Sequence, residues 1–329
     1  HAAKLRRYQE LINFYLDNEC QHLGEAAQKA YAQAAADSAQ LAARGIPVSI
    51  LDPASGPGAQ GCSWWAGGML APWCEFENAE EPVLRHGQAA IGWWDRHAGG
   101  VARNGTLVVT PARDRRELDR FARRTEGFDQ IGADRIAELE PDLAGRFDRA
   151  LFFPDEAHLD PRTAMAALQA GLADRGVTVA AHLPPDPGRV VDCRGLAARD
   201  ILPELRGVRG EMLVLRCPDV ALSRPVRLLH PRIPLYIVPR ADDIFMVGAT
   251  MIESSQRSRI SARAMLELLG GAYALHPAFA EAEIPFLGLR DNPWIFDADG
   301  TPLNPNGCVV NGGSVAECSM PATTMYSPE

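Results

Sequence analysis

The chain has 329 residues, of which 47% are hydrophobic and 23% are charged, a composition typical of one large globular domain or two ordinary ones. Its net charge of −9 argues against a nucleic-acid-binding protein, because no broad positive field is available for phosphates. No apolar run approaches the roughly 20 residues that span a bilayer, and the N-terminal stretch lacks the pattern of a secretory signal.

The first half of the chain alternates between helical and extended patterns. Residues 2–44 are rich in good helix formers and predict helix up to Gly45, a natural C-cap. The apolar stretch "IPVSILD" predicts a short strand ending at Asp52. Asp160 is predicted to cap a helix that has Pro161 at its first position. Further helices are predicted over 80–99, 113–126 and 133–143, and a strand over 104–111.

The second half is richer in strands. Strands are predicted in "VTVAAH", "GRVVDCRG", "GEMLVLRC" and "EIPFLGLR", and "PLYIVPRADDIFMVGATM" predicts a hairpin that turns over "ADD". A helix is predicted over residues 261–277, and the Gly- and Pro-rich stretch after residue 290 is expected to be mostly loop. This arrangement favours an α/β plus α+β fold of two intertwined lobes.

The stretch "GPGAQG", Gly56–Gly61, has the spacing of a dinucleotide-binding loop and follows a predicted strand. That motif also requires a helix that begins inside it, and Gly67, Gly68 and Pro72 interrupt any such helix. We therefore interpret Gly56–Gly61 as a surface loop. A nicotinamide-dependent dehydrogenase that uses this loop is the least favoured function.

Asp52 supports a different placement of a nucleotide. At the end of the second strand of a Rossmann unit, its carboxylate would accept the hydroxyls of an adenosine ribose. The glycine loop should then lie about 20–25 residues upstream, where the sequence reads "KAYAQA" and contains no glycine.

Several motifs together resemble one enzyme family. "GCSWWAGGMLAPWCE", "EAHLDPRTAMAAL", "VVDCRGLAARDILPELRGVRGEML", "LYIVPRADDIFMVGATMIE" and "FLGLR" resemble the flavin-dependent glycine oxidases of thiazole (thiamine) biosynthesis, within the D-amino-acid-oxidase-like family. The resemblance spans about residues 40–290. It implies a Rossmann-like lobe for FAD, intertwined with an antiparallel-sheet substrate lobe. The expected division is an atypical helical segment at 1–44, an FAD lobe from 45–80, 150–210 and 291–329, and a substrate lobe from 81–149 and 211–290.

The resemblance also implies roles for individual residues in holding FAD. Gly195 would lie near the adenosine half of the cofactor, whose ribose is already expected beside Asp52 because of the strand-end position of that residue. Gly312 and Gly313 preserve a faint outline of the family's C-terminal glycine turn. The residues expected along the flavin, where small side chains let the backbone approach, are Ser63, Ala66, Gly67, Gly68 and Met69.

A small-molecule amino acid is the substrate that the resemblance implies. Ala71 would line a small pocket, Tyr236 and Met251 would border the substrate, and Arg290 would bind its carboxylate through the planar guanidinium fork. We expect Tyr236, Met251 and Arg290 to converge on one cavity whose wall is formed by Gly68 to Ala71.

The implied function is FAD-dependent oxidation of glycine or a small amine, with hydrogen peroxide as a product. The missing glycines of "KAYAQA", and the lack of the family's arginine and asparagine in the turn that begins "NGGSVAEC", depart from the family and predict weaker FAD binding. The alternative is a scaffold of the same family that binds no flavin.

The remaining expectations concern surroundings and partners. The seven cysteines contain no C-x-x-C, and the eight histidines lack metal-ligand spacing, so we expect reduced thiols, a cytoplasmic protein and no metal site. No nucleic-acid or membrane partner is expected, and a homo-oligomer remains open.

Overall fold

The computed structural model describes residues 30–52, 56–57, 62–180, 182, 189–193, 200, 203, 207–230, 234–254, 260–284 and 324–327. Its α-helices are α1 (Ala30–Ala43), α2 (Cys62–Trp65), α3 (Pro72–Phe76), α4 (Glu81–His97), α5 (Arg115–Ala122), α6 (Ala133–Leu139), α7 (Pro161–Ala173) and α8 (Ala262–Leu275). Short 3₁₀ turns cover Ala112–Asp114, Pro141–Leu143 and Pro277–Glu281.

The strands fall into two larger sheets and two short pairs. They are β1 (Ser49–Leu51), β2 (Met69–Leu70), β3 (Thr106–Val109), β4 (Asp129–Gly132), β5 (Arg149–Phe153), β6 (Ala157–His158), β7 (Thr178–Ala180), β8 (Arg189–Asp192), β9 (Val208–Arg209), β10 (Leu213–Arg216), β11 (Val226–Leu228), β12 (Leu235–Pro239), β13 (Ile244–Gly248), β14 (Ile252–Glu253) and β15 (Thr324–Ser327).

The smaller of the two larger sheets has four strands in the order β7-β1-β15-β8. β1 pairs parallel with β7 and antiparallel with β15. Helix α1 packs against β1 and α7, and the buried alanines Ala34 to Ala36 allow this close approach. The same core contains Ile50 and Leu168, so the alanine-rich composition of α1 reflects a tightly packed helix.

The larger sheet has seven strands in the order β10-β13-β12-β11-β3-β5-β4. Only the β11–β3 pair is parallel, and the other pairs are antiparallel. β12 and β13 form the expected hairpin, whose turn places Asp242 and Asp243 at positive φ. One face of this sheet packs on α8 around Leu268.

Most predicted elements agree with the structure where it describes them. The strand before Asp52, the hairpin, and the Asp160 cap that accepts from the backbone N–H groups of Arg162 and Thr163 are all confirmed. Gly45 ends α1 at positive φ, as expected. The predicted helix over residues 2–29 lies outside the described residues. β15 falls in a stretch expected to be mostly loop, and it is a strand because β1 and β8 supply partners on both sides.

The division into two lobes stays a prediction. Helix α4 was assigned to the substrate lobe, and its Trp93 and Trp94 pack in the same core as Ile50 and Leu168 beside the four-stranded sheet. β5 extends the seven-stranded sheet although residues 150–153 were assigned to the FAD lobe. Among the described helices, none combines the length and the apolar character needed to cross a membrane.

A buried ion pair connects α6 to the segment before β11. Glu140, which is 1% exposed, accepts from Nε of Arg224 at 2.7 Å and from the hydroxyl of Ser223 at 2.7 Å. Such a pair is weak support for stability as a whole, but removal of one partner leaves a buried charge uncompensated.

We therefore expect Glu140→Ala to lower the free energy of unfolding by about 3–5 kcal/mol. Glu138→Ala, which removes a partner of Arg135 in an exposed pair, should cost about 1 kcal/mol or less. Urea unfolding of both variants checks this. Equal losses would show that the Arg224 charge is compensated elsewhere.

Candidate functional site

The predicted flavin-contacting segment, residues 63–69, lies between the two larger sheets. It begins in α2, which packs against α1 and α7, and it ends in β2, which pairs with β6. Ser63 and Ala66 are buried. Contacts of its backbone with Arg240, Tyr236 and Leu159 fix the segment against β12 and against the turn before α7.

Arg240, at the end of β12, holds this segment in place. Its Nη2 donates to the carbonyl oxygens of Ala66 at 3.0 Å and Gly67 at 2.9 Å, and its Nη1 donates to the carbonyl of Leu159 at 2.9 Å. Asp160 lies 3.4 Å from Nη1 and balances the charge. One guanidinium thus connects the loop, the α7 cap and the larger sheet.

Sequence reasoning missed the role of Arg240. The residue stands in the "YIVPR" motif that carries the family resemblance, but the motif by itself assigns no function to this arginine. The available signal was an arginine directly after an apolar strand, where its charge needs several acceptors if the side chain is buried.

Gly67 is in contact with Tyr236. A Cβ on Gly67 would lie 2.9 Å from the ring carbon Cε2 of Tyr236, so no larger residue fits there without movement of the ring. Because Gly67 has no side chain, the Tyr236 ring can occupy the space beside it. Burial raises the pKa of Tyr236, and Glu75 raises it further, so its hydroxyl stays protonated and able to donate.

Gly68 is required for two separate reasons. Its φ of +76° lies in the left-handed region, and a Cβ would stand 2.1 Å from the carbonyl oxygen of Leu159 and 2.8 Å from Cδ of Pro161. Its carbonyl also accepts from the N–H of Leu159 at 2.9 Å. The loop therefore passes directly against the start of α7.

A hydrogen bond joins Asp52, at the end of β1, to Gly56. Asp52 is only 2% exposed, and its Oδ2 accepts from the backbone N–H of Gly56 at 3.2 Å. Gly56 is buried, so the expectation that Gly56–Gly61 is a surface loop is wrong at its first residue. The reason is that Gly56 packs against Gln169 of α7. Helix α2 begins only at Cys62, and residues 58–61 lie outside the described part of the chain.

The predicted substrate residues are only partly brought together. Met69 packs in one apolar cluster with Tyr236, and Ala71 is buried in a neighbouring cluster with Cys74 and Val108. Met251 is 65% exposed, and its proposed contact with substrate stays a prediction. Gly195, Arg290, Gly312 and Gly313 lie outside the described residues.

A buried carboxyl group lies beside Ala71 and Cys74. Oε1 of Glu156 accepts from the N–H of Cys74 at 2.7 Å. Oε2 of Glu156 and the Thr106 hydroxyl are near neighbours, but neither has a hydrogen-bond partner within 3.5 Å among the described residues. Burial raises the pKa of Glu156 to about 7, partly opposed by Thr106 and Cys74. Burial, together with Arg240 and Arg224, lowers the pKa of His158 to about 4.

Comparison with protein families decides the class of this arrangement. The profile of the DAO family, described as FAD dependent oxidoreductase, matches residues 38–316. The chain belongs to this family of FAD-dependent oxidoreductases. The fold, with its mixed α/β content and mixed seven-stranded sheet, is the fold of these enzymes.

Individual relatives agree with the family assignment. A Rhizobium etli protein named as a thiamine biosynthesis oxidoreductase, ThiO, is 53% identical over 284 residues, which cover 83% of this chain and 86% of the relative. Glycine oxidase from Geobacillus kaustophilus shares the fold with a TM-score of 0.59 and 22% identity, over 76% of this chain and 77% of that one. Iminodiacetate oxidase (IdaA) from Chelativorans sp. BNC1 has a TM-score of 0.56 and 24% identity, and the match covers 76% of this chain and 78% of that one.

The described residues of this FAD-dependent oxidoreductase fit an FAD nucleotide. Helix α1 packs against β1, and the buried carboxylate of Asp52 directly follows the end of β1. A carboxylate at a strand end suits the hydroxyls of the adenosine ribose. Weaker binding than in relatives, expected from "KAYAQA", stays a prediction.

The two demands on Gly68 can be separated by a matched pair of variants. Gly99 has a similar φ of +66° but has no atom near its virtual Cβ. We expect Gly99→Ala to cost about 1 kcal/mol from backbone strain alone. Gly68→Ala adds the clash with Leu159 and should cost about 3 kcal/mol or more. Urea unfolding of both variants measures the difference, and equal costs would contradict the packing argument.

The raised pKa of Glu156 predicts a specific pH dependence. Because the folded-state pKa lies above the unfolded value near 4.5, the wild type loses stability as pH rises from about 4.5 to 7. Glu156→Gln should remove this loss and gain up to about 3 kcal/mol above pH 7, with no gain below pH 4.5. The lowered pKa of His158 makes stability rise with pH between about 4 and 6.5. This contribution cancels in the comparison, because the wild type and the Glu156→Gln variant both contain His158. Parallel stability curves from pH 4 to 8 would refute the assignment.

Proposed function

We propose that this chain oxidises glycine or another small amino acid at its CH–NH₂ group, with FAD as the cofactor and dioxygen as the electron acceptor. The observation that carries the proposal is the contact of Tyr236 with Gly67, with Arg240 fixing the same loop. This contact joins the segment expected along the flavin to the residue expected beside the substrate. The 53% identity to the protein named ThiO supports the same activity.

The proposed reaction converts glycine, dioxygen and water into glyoxylate, ammonia and hydrogen peroxide. Bound FAD supplies the two-electron acceptor for the substrate. The carboxylate of the substrate pairs with Arg290, because a guanidinium binds two carboxylate oxygens at once. Tyr236 contributes a neutral hydroxyl as a donor, since its raised pKa prevents ionisation near neutral pH.

The chain's apolar residues restrict the size and the hydration of the site. Ala71 is small and buried, and Met69 packs beside Tyr236 with Val214 and Ala249. These side chains exclude water from the reacting carbon and leave room for a substrate with little or no side chain. No side-chain base is required when the amine enters in its neutral form.

The same proposal implies a partner and a cellular location for the enzyme. We infer a small-molecule amino acid as the partner and a cytoplasmic location, where reduced thiols are stable.

The test is peroxide production by the purified, FAD-loaded chain in the presence of glycine. We expect equal amounts of peroxide and glyoxylate. Arg290→Met should lower kcat/KM about 100-fold or more, because it removes the carboxylate partner, and Arg290→Lys should lose less. Tyr236→Phe should lower kcat/KM about 10-fold or more.

Two outcomes contradict different parts of the proposal. A yellow protein that oxidises no small amino acid would refute the substrate assignment but not FAD binding. A colourless protein that cannot be loaded with FAD would favour the alternative of a scaffold without flavin. Glu138→Gln serves as the matched control, since the partner of Glu138 among the described residues is the exposed Arg135.

A further inference from the structure

An arginine interrupts an apolar row on the seven-stranded sheet. Leu151, Val108, Arg227, Tyr236 and Gly248 are successive cross-strand partners and therefore point to one face. This is the face that packs on Ala71 and Cys74 through Val108 and Leu151. Arg227 consequently lies directly beside Tyr236.

The contacts of Arg227 use only part of its donor capacity. Nη1 donates to the carbonyl of Cys74 at 3.3 Å and lies 3.4 Å from Oε1 of Glu75. The guanidinium also stacks over the ring of Phe121 at 5.4 Å. Within the described part of the chain, Nη2 and Nε have no acceptor, and the side chain keeps 16% of its exposure. A guanidinium with N–H groups that have no acceptor can donate them to a further carboxylate.

Glu75 balances the charge of Arg227. It lies on α3, one turn after Ala71, and its side chain is 33% exposed. Burial alone would lower the pKa of Arg227, but Glu75, followed by Cys74, Glu77 and Glu156, raises it overall. Arg227 therefore stays charged, and the Arg227–Glu75 pair has no net charge.

We propose that the Arg227–Glu75 pair sets the charge specificity of the oxidase, so that it accepts amino acids with one carboxylate and rejects those with two. This inference rests on the proposed function. A second carboxylate beside Tyr236 would bring an excess negative charge into a partly buried site, which is unfavourable even though Arg227 has donors to offer. Without the charge of Glu75, the same carboxylate would restore neutrality.

The test compares two N-substituted glycines of similar reach. N-ethylglycine carries a neutral substituent, and iminodiacetate carries a second carboxylate. We expect Glu75→Gln to raise the ratio of kcat/KM for iminodiacetate over N-ethylglycine about tenfold or more. The kcat/KM for glycine, which has no group that reaches the pair, is measured alongside and reports any general effect of the variant on the site. The exposed Glu138→Gln variant should leave all three values unchanged.

A second variant assigns the gain to Arg227. In the background of Glu75→Gln, Arg227→Met should abolish the gain for iminodiacetate, and Arg227→Lys should retain part of it. FAD absorbance and thermal unfolding confirm that each variant is folded and loaded. An unchanged ratio in folded Glu75→Gln would overturn the inference, and so would a gain that survives Arg227→Met.

The same measurements separate this inference from the proposed function. A wild-type chain that oxidises glycine but shows no change of the ratio in Glu75→Gln supports the function and refutes the inference. A loaded wild-type chain that oxidises none of the three compounds refutes the function, and with it the inference.

Discussion

The guanidinium of Arg240 is the interaction on which the rest of the site depends. It donates to the carbonyls of Ala66, Gly67 and Leu159, and Asp160 balances its charge. A loop of small residues has few side-chain contacts of its own, so backbone carbonyls must supply the attachment. A planar group with five donors can satisfy several carbonyls at once, which a lysine ammonium in the same place could do less well.

This attachment explains why glycines occupy the two positions after Ala66. With the loop held against the end of β12 and the start of α7, the space beside Gly67 belongs to the Tyr236 ring, and the space beside Gly68 belongs to Leu159. The glycines thus serve the packing of the protein itself. Flavin approach, inferred from the family resemblance, is a second use of a segment already constrained in this way.

Buried charges around the site are organised by the seven-stranded sheet. Arg227 and Tyr236 are cross-strand neighbours, and α3 carries both Cys74 and Glu75 toward them. On the same helix, the N–H of Cys74 binds Glu156. A site with this many ionisable groups in apolar surroundings can distinguish substrates by charge, because each uncompensated charge is expensive there.

The sequence by itself determined the local elements and the enzyme family. Asp160 before Pro161 fixed the start of α7, the "ADD" turn fixed the β12–β13 hairpin, and the "AGGML" and "YIVPR" motifs indicated a flavin-dependent oxidase. Only the tertiary structure decided that Arg240 ties these two motifs together, that Gly56 is buried on Gln169, and that Arg227 lies beside Tyr236. Strand order and register bring such residues together from distant parts of the chain, and no pattern within a single segment encodes that pairing. Burial of Gly56 is likewise decided by α7, more than 100 residues later, because turn composition specifies local conformation and not what packs against it.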